Sequence, residues 1–183
     1  MSLTLQQLQL ALPSVSISRL TLHLEPLNYA ATEAAINSPE RWAMWLAQIT
    51  HETEGLLFLE EIWGPTPQQL KYEPGTPLAK ELGNTQLGDG KLFKGRGSIQ
   101  TTGRANYGYV SKALGVDFVA NPQYVSSLNY CHRAAAYFWN KHAINKYADA
   151  HDIKGATKII NGGYTGLAER TAYYNHALQA LSS

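Results

Sequence analysis

Apolar positions in this chain recur mostly at helical spacing, and the sharpest instance lies between Ser38 and Glu61, SPERWAMWLAQITHETEGLLFLEE. Trp42, Trp45, Leu46 and Ile49 fall at i, i+3, i+4 and i+7, the inward stripe of an amphipathic helix. Ser38 is an N-cap residue type, Pro39 suits the first helical position, and Glu40 lies in the first turn, where the helix dipole favours a negative charge. Continuing the stripe puts Glu52 on the apolar side, in the last turn before Gly55. Desolvation and the negative end of the dipole both disfavour an anion there. A general acid working near neutral pH needs such a place. Taken alone, a glutamate at a helix end is more often solvated or salt-bridged, so the rest of the chain has to decide.

The remaining elements read as follows. Leu5, Leu8 and Leu12 mark a short amphipathic helix. Ser16 to Leu24 and Pro26 to Ile36 read as two helices, with Pro26 forcing a break between them. Leu56 to Leu59 is an apolar run suited to a strand or a packed loop, and Gly64 to Gly90 is a turn-dense irregular excursion. Beyond the glycine-rich KGRGSIQTTGRANYG from Lys94 to Gly108, Ser111 to Leu114 reads as a helical turn and Asn121-Pro122 opens a new element. Helices are predicted over Leu128 to His142, over Ala150 to Ile160, and from Leu167 to Leu181 after the turn cluster NGGYTG. No repeat or linker divides the chain, so a single domain over 1–183 without a separate wall-binding module is expected.

Composition narrows the class. A chain of 183 residues can bury a core without staples, and 11 Tyr, 4 Trp and 15 Gly against 16% charged residues suit a cleft that handles sugars. A formal charge of +1 provides no basic field, so no nucleic-acid partner is expected. Cys131 is the one cysteine, which rules out an internal disulfide; its neighbours from Tyr130 to Trp139 suggest an inert buried thiol. The N-terminal stretch has no basic residue before Arg19, and Gln6, Gln7 and Gln9 interrupt its apolar run, which argues against a signal peptide. No segment approaches the roughly 20 apolar residues of a membrane span.

Several chemistries fail on spacing. His51-Glu52 would open a zinc-protease motif only with His at 55, where Gly55 stands. There is no G-x-S-x-G elbow, and Gly95-Arg96-Gly97 lacks the residues of a phosphate-binding loop. No metal or cofactor is therefore expected. A pair of carboxylates remains, Glu52 and, nine residues on, Glu61, as in glycoside hydrolysis. An inverting mechanism needs the two roughly 6.5–9.5 Å apart, so the chain must reverse near Gly55. Glu60 competes with Glu61, because neighbours in an extended segment face opposite ways. Spacing leaves that choice open. Arg170 falls in register with Tyr174, Leu178 and Leu181 on the predicted buried stripe of the last helix, and an inward arginine needs a counter-ion, for which Glu61 is the natural candidate.

AQITHETEG, LGNTQLGDGKLFKGRGSIQTTGRANYG and IINGGYTGLAER together resemble glycoside hydrolase family 19, which comprises plant-type chitinases and endolysins of phages and prophage lysis cassettes. The likeness runs from Glu40 to Tyr174, and the quick junction of EEIWGPTPQQLKYE to LGNTQLGDG is similar to the compact bacterial and phage branch. The resemblance implies Glu52 as general acid and Glu61 as general base. It places Gln100, Thr102, Asn106, Asn161 and Arg170 at positions that bind sugar or hold water, with Trp63 and Tyr107 as lower-ranked stacking candidates. The alternative reading of Asn106 or Thr102 is a cap on a local turn. Plant members carry a carboxylate where this chain has Thr165.

The resulting expectation is a mainly α, lysozyme-like α+β single domain with a small irregular or β lobe and a substrate cleft. It would hydrolyse β-1,4 bonds of peptidoglycan strands as a monomeric endolysin, without cofactor, metal, nucleic acid or membrane partner. The resemblance further implies synthesis in the host cytoplasm and release to the periplasmic wall through a holin-type pore. A chitinase is the nearest alternative, and a non-catalytic glycan-binding module the alternative of another class.

Overall fold

Backbone contacts in the computed structural model, which describes residues 1–182, group the chain into two compact units: residues 1–58 with 136–182, and residues 59–135. The secondary structure is almost wholly helical. Among the described residues there is no strand, and β-structure is confined to the isolated bridges Glu60 to Arg96 and Arg96 to Thr101.

The first unit begins with α1 (Leu5–Ala11), α2 (Ile17–Glu33) and α3 (Pro39–Glu52). Thr4 and Gln7 close a capping box on α1. Helix α2 corrects the predicted break: it runs straight through Pro26. The carbonyl that Pro26 deprives of a partner belongs to Leu22, which is exposed, so water can satisfy it. Leu20 and His23 before the proline and Leu27, Ala30 and Ala31 after it are all buried, so packing carries the helix across.

Helix α3 starts as predicted, with Ser38 Oγ accepting from the Arg41 N–H at 3.3 Å and Pro39 in the first turn. Its middle goes beyond a single stripe. Every residue from Trp42 to Thr50 is buried, which is possible because Ala43, Ala47 and Thr50 are small and Met44 is adaptable. Trp45 meets Trp139 edge-on at 5.0 Å. At its end Thr53 Oγ1 donates to Ile49 O at 2.6 Å and accepts from the Leu56 N–H at 2.8 Å. Glu54, Gly55 and Leu56 then all take positive φ, so the reversal expected of Gly55 extends over three residues.

In the second unit the excursion of 64–90 is more regular than predicted. It contains α4 (Pro67–Leu70), α5 (Pro77–Leu82) and α6 (Asp89–Leu92). Thr66-Pro67 and Thr76-Pro77 are cap-plus-proline starts, and each threonine hydroxyl accepts from the backbone three residues on. Helices of four to six residues show no periodicity to read. Then come α7 (Arg104–Leu114), a 3-10 turn at Pro122–Ser126, and α8 (Cys131–Lys141), through which the chain returns to the first unit. Cys131 is buried, and burial pushes its thiol up to about 12, consistent with an inert side chain.

The first unit closes with α9 (Asn145–Asp149), α10 (Ile153–Asn161) and α11 (Leu167–Leu181). Helix α9 falls between the predicted elements. Helix α11 has the predicted bounds and buries Arg170, Tyr174, Ala177 and Leu181 against neighbours that include α3.

Candidate active site

In the first unit the candidate residues gather where the end of α3 packs against the start of α11. Arg170 is fully buried, and each of its three guanidinium nitrogens has an acceptor. Nη1 donates to Gln48 Oε1 at 2.6 Å, Nε to Thr165 O at 3.1 Å, and Nη2 to Glu52 Oε1. Gln48 and Glu52 lie four residues apart on α3, so one arginine spans both, and Gln48 Nε2 donates onward to Thr157 Oγ1 at 3.2 Å. The counter-ion of Arg170 is thus Glu52, not Glu61 as the sequence suggests. The reason is register: the inward face of α11 meets the last turns of α3. Arg170 has no exposed surface to offer a sugar; it positions Glu52. The Glu52 side chain keeps 23% of its surface open, and among the described residues no hydrogen bond reaches its Oε2.

A second clamp lies beside the first. His51 Nδ1 is 2.5 Å from Glu169 Oε2, so consecutive residues of α3 pair with consecutive residues of α11. The ring lies against Gly166, whose φ is +70°; a Cβ there would come within 2.0 Å of His51 Cε1. Asn161 is exposed, and its Oδ1 accepts from the Thr165 N–H at 3.2 Å, holding the NGGYT turn that leads into Arg170.

In the second unit a separate group of side chains surrounds Glu61. Glu61 is half-buried, and both its oxygens are held: Oε1 accepts from Gln69 Nε2 and Oε2 from the Gly95 N–H, each at 2.9 Å. The Glu61 N–H donates to Gly95 O at 2.8 Å, locking the two segments together. Burial, together with the Glu61 carboxylate that its hydroxyl bonds, pushes the Tyr72 phenol up. Gly95 and Gln100 lie close: a Cβ at 95 would meet Gln100 Oε1 at 2.3 Å, so that exposed side chain would have to move.

Glu60 faces a different environment. Its Oε1 lies 2.8 Å from Lys94 Nζ and 3.2 Å from Arg96 Nε, the latter without the alignment of a hydrogen bond. Desolvation opposes ionisation of Glu60, but Lys94 and Arg96 outweigh it and hold the carboxyl below the usual range. Two cations occupy Glu60, whereas neutral donors orient Glu61.

The other predicted residues divide. Gln100 is exposed and Thr102 half-buried, while Asn106 Nδ2 donates to Thr102 O at 2.8 Å, a local bond at the start of α7. Trp63 is half-buried, its ring 6.3 Å from that of Tyr72. Tyr107 is a correction: it is fully buried, packs edge-on against Phe93, and its hydroxyl donates to Lys94 O and accepts from Arg96 Nη1. It is core, not a sugar platform. Gln48, Gln69, Tyr72 and His51 escaped the sequence reading. For Gln69 the signal was available, as the third residue after Thr66 in a capping box.

Residues 27–159 match the model of the family described as chitinase class I, glycoside hydrolase family 19. The chain belongs to glycoside hydrolase family 19. As a family 19 protein it is 31% identical over 156 residues to a glycosyl hydrolase family 19 domain-containing protein of Haemophilus influenzae, covering 72% of this chain and 76% of that protein. It is 36% identical to an endochitinase of Avena sativa over 76% of this chain and 74% of that one. For chitinase 3 of Oryza sativa the identity is 30% over 74% of this chain, which spans only 50% of the rice protein. A solved bacterial family 19 chitinase shares the fold with a TM-score of 0.72 at 19% identity, covering 97% of this chain and 94% of that one. Chitinase C of Streptomyces griseus gives 0.68 at 21%, over 98% of this chain and 76% of that one. The mainly helical, lysozyme-like fold and a glycosidase class follow from these relationships.

Proposed function

We propose that this family 19 glycosidase is a bacteriolytic endolysin that hydrolyses β-1,4 glycosidic bonds of peptidoglycan by inversion, with Glu52 as general acid and Glu61 as general base. The observation that carries the assignment is the contrast between the two carboxylates. Arg170 takes Glu52 Oε1 and leaves Oε2 as the oxygen open to a leaving group. Glu61 is oriented through both oxygens by Gln69 and Gly95, as a base that must aim at a water has to be.

The step balances simply. Glu52 gives its proton to the bridging oxygen as the C1–O bond breaks, water adds to C1 from the opposite face, and Glu61 takes the proton of that water. Solvent then returns a proton to Glu52 and takes one from Glu61. No cofactor enters this sequence. The enzyme would act on the cell wall from the periplasmic side, as a monomer released through a holin-type pore.

Support for peptidoglycan comes from the short connection between Glu61 and Gly95, built of α4, α5 and α6, which resembles the compact branch that includes endolysins. The oat and rice relatives are named for chitin, which makes chitin the second reading. Parallel digestion of purified sacculi and colloidal chitin separates the two. Release of soluble muropeptides with little sugar from chitin is expected; efficient chitin degradation with intact sacculi would replace the proposal by the second reading.

A further inference from the structure

Gln69 is buried, with 4% of its surface exposed, and its carboxamide uses every hydrogen-bonding site it has. Oε1 accepts from the Gly64 N–H at 3.1 Å and the Thr66 N–H at 2.8 Å; Nε2 donates to Ile62 O at 2.8 Å and to Glu61 Oε1 at 2.9 Å. A flipped amide would set Nε2 against two backbone donors and Oε1 against a carbonyl and a carboxylate, so only one orientation is tenable. The loop from Glu61 to Thr66 therefore fixes which way the Nε2 hydrogens point, and one of them points at Glu61.

We propose that Gln69 is a positioning residue for catalysis, aiming the Glu61 carboxylate through a bond whose direction the surrounding backbone dictates. This inference rests on the reading of Glu61 as the base. A neutral donor suits that task better than a cation, which would hold the carboxylate charged but weaken it as a proton acceptor. Glu60, paired with Lys94 and Arg96, illustrates the alternative one residue away. With Gln69, the Gly95 N–H and the Tyr72 hydroxyl as three donors to two carboxylate oxygens, a lone pair is left for a water. Within the same unit the titratable and charged groups around Glu61 are Tyr72, Tyr107, Glu60, Lys94 and Arg96.

The test compares pH profiles of kcat/KM on sacculi, or on chitin oligomers should those be the substrate, for wild type, Glu61→Gln, Gln69→Leu and Gln69→Glu, with Tm recorded for each. Removing a hydrogen bond to the charged form raises the pKa of the base, so Gln69→Leu is expected to move the acidic limb up by about one pH unit and to lower kcat about tenfold with KM little changed. Gln69→Glu retains the acceptor side of the loop and sets a second carboxyl against Glu61. Two such groups share a proton, so an additional ionisation should appear in the profile. Should Leu at 69 fail to fold, the Glu variant carries the test. If both variants lose only Tm and titrate like wild type, Gln69 merely staples its loop and the inference falls alone. If Glu61→Gln remains active, the assignment of the base falls and this inference falls with it.

Discussion

Arg170 in α11 and Glu52 at the end of α3 form an ion pair in which the arginine is wholly buried and the glutamate partly open. The same guanidinium fills Gln48 Oε1 and Thr165 O. Replacing it by methionine leaves three acceptors without a donor. Breaking a buried pair from one side costs about 3 kcal/mol, and for a chain of this size that lowers Tm by on the order of 10 °C. Thermal unfolding of Arg170→Met checks this, and a change below about 1 °C would mean that the network contributes nothing.

Glu52→Gln preserves the bond from Arg170, because the glutamine carbonyl can accept it, but removes the transferable proton. The expected loss in kcat is about 10²- to 10⁴-fold with Tm nearly unchanged, measured on sacculi. Retained bacteriolysis in this variant would overturn the assignment of the acid.

If the mechanism is inverting, the new reducing end is released as the α-anomer. Proton NMR within the first minutes of digestion, before mutarotation, distinguishes the two anomers; an initial β product would require a retaining route.

Gly166→Ala is expected to cost roughly 2 kcal/mol, because an alanine at φ +70° is strained and its Cβ overlaps His51. The ring would have to leave Glu169. A second substitution, His51→Ala, removes the overlap, so the double mutant should lose less than the sum of the single mutants. Strict additivity would place the whole cost in the backbone.

Asp89 is nearly buried, and its carboxylate accepts from Arg104 Nε and Nη2 and from the N–H groups of Thr85 and Gln86. Arg104 foremost, and then the two backbone donors, hold the carboxyl below the ordinary aspartate range. A depressed folded-state pKa contributes stability that is complete above the unfolded value, about pH 4, and is lost as pH falls through the folded value. The Tm gap between wild type and Asp89→Asn should therefore be widest near neutrality and close on acidification. A gap independent of pH would show that the pair contributes through shape alone.

Much of the helical framework was legible in the sequence because its signals are local. Ser38-Pro39 starts α3 and the NGGYTG cluster precedes α11 through interactions within a turn or so of chain. Glu52 was legible for the same reason, as the continuation of a stripe. Pro26 misled because its local rule is overridden when both flanking turns pack on the same face.

The partner of Arg170, the different surroundings of Glu61 and Glu60, and the burial of Tyr107 were decided only by the tertiary structure. A sequence pattern can place a side chain on the inward face of its own helix or loop, since that depends on the residues beside it. What the side chain meets there depends on which elements pack and at what offset. Gln48, Glu52, Thr165 and Arg170 come together from segments more than a hundred residues apart, and no local spacing records such a meeting.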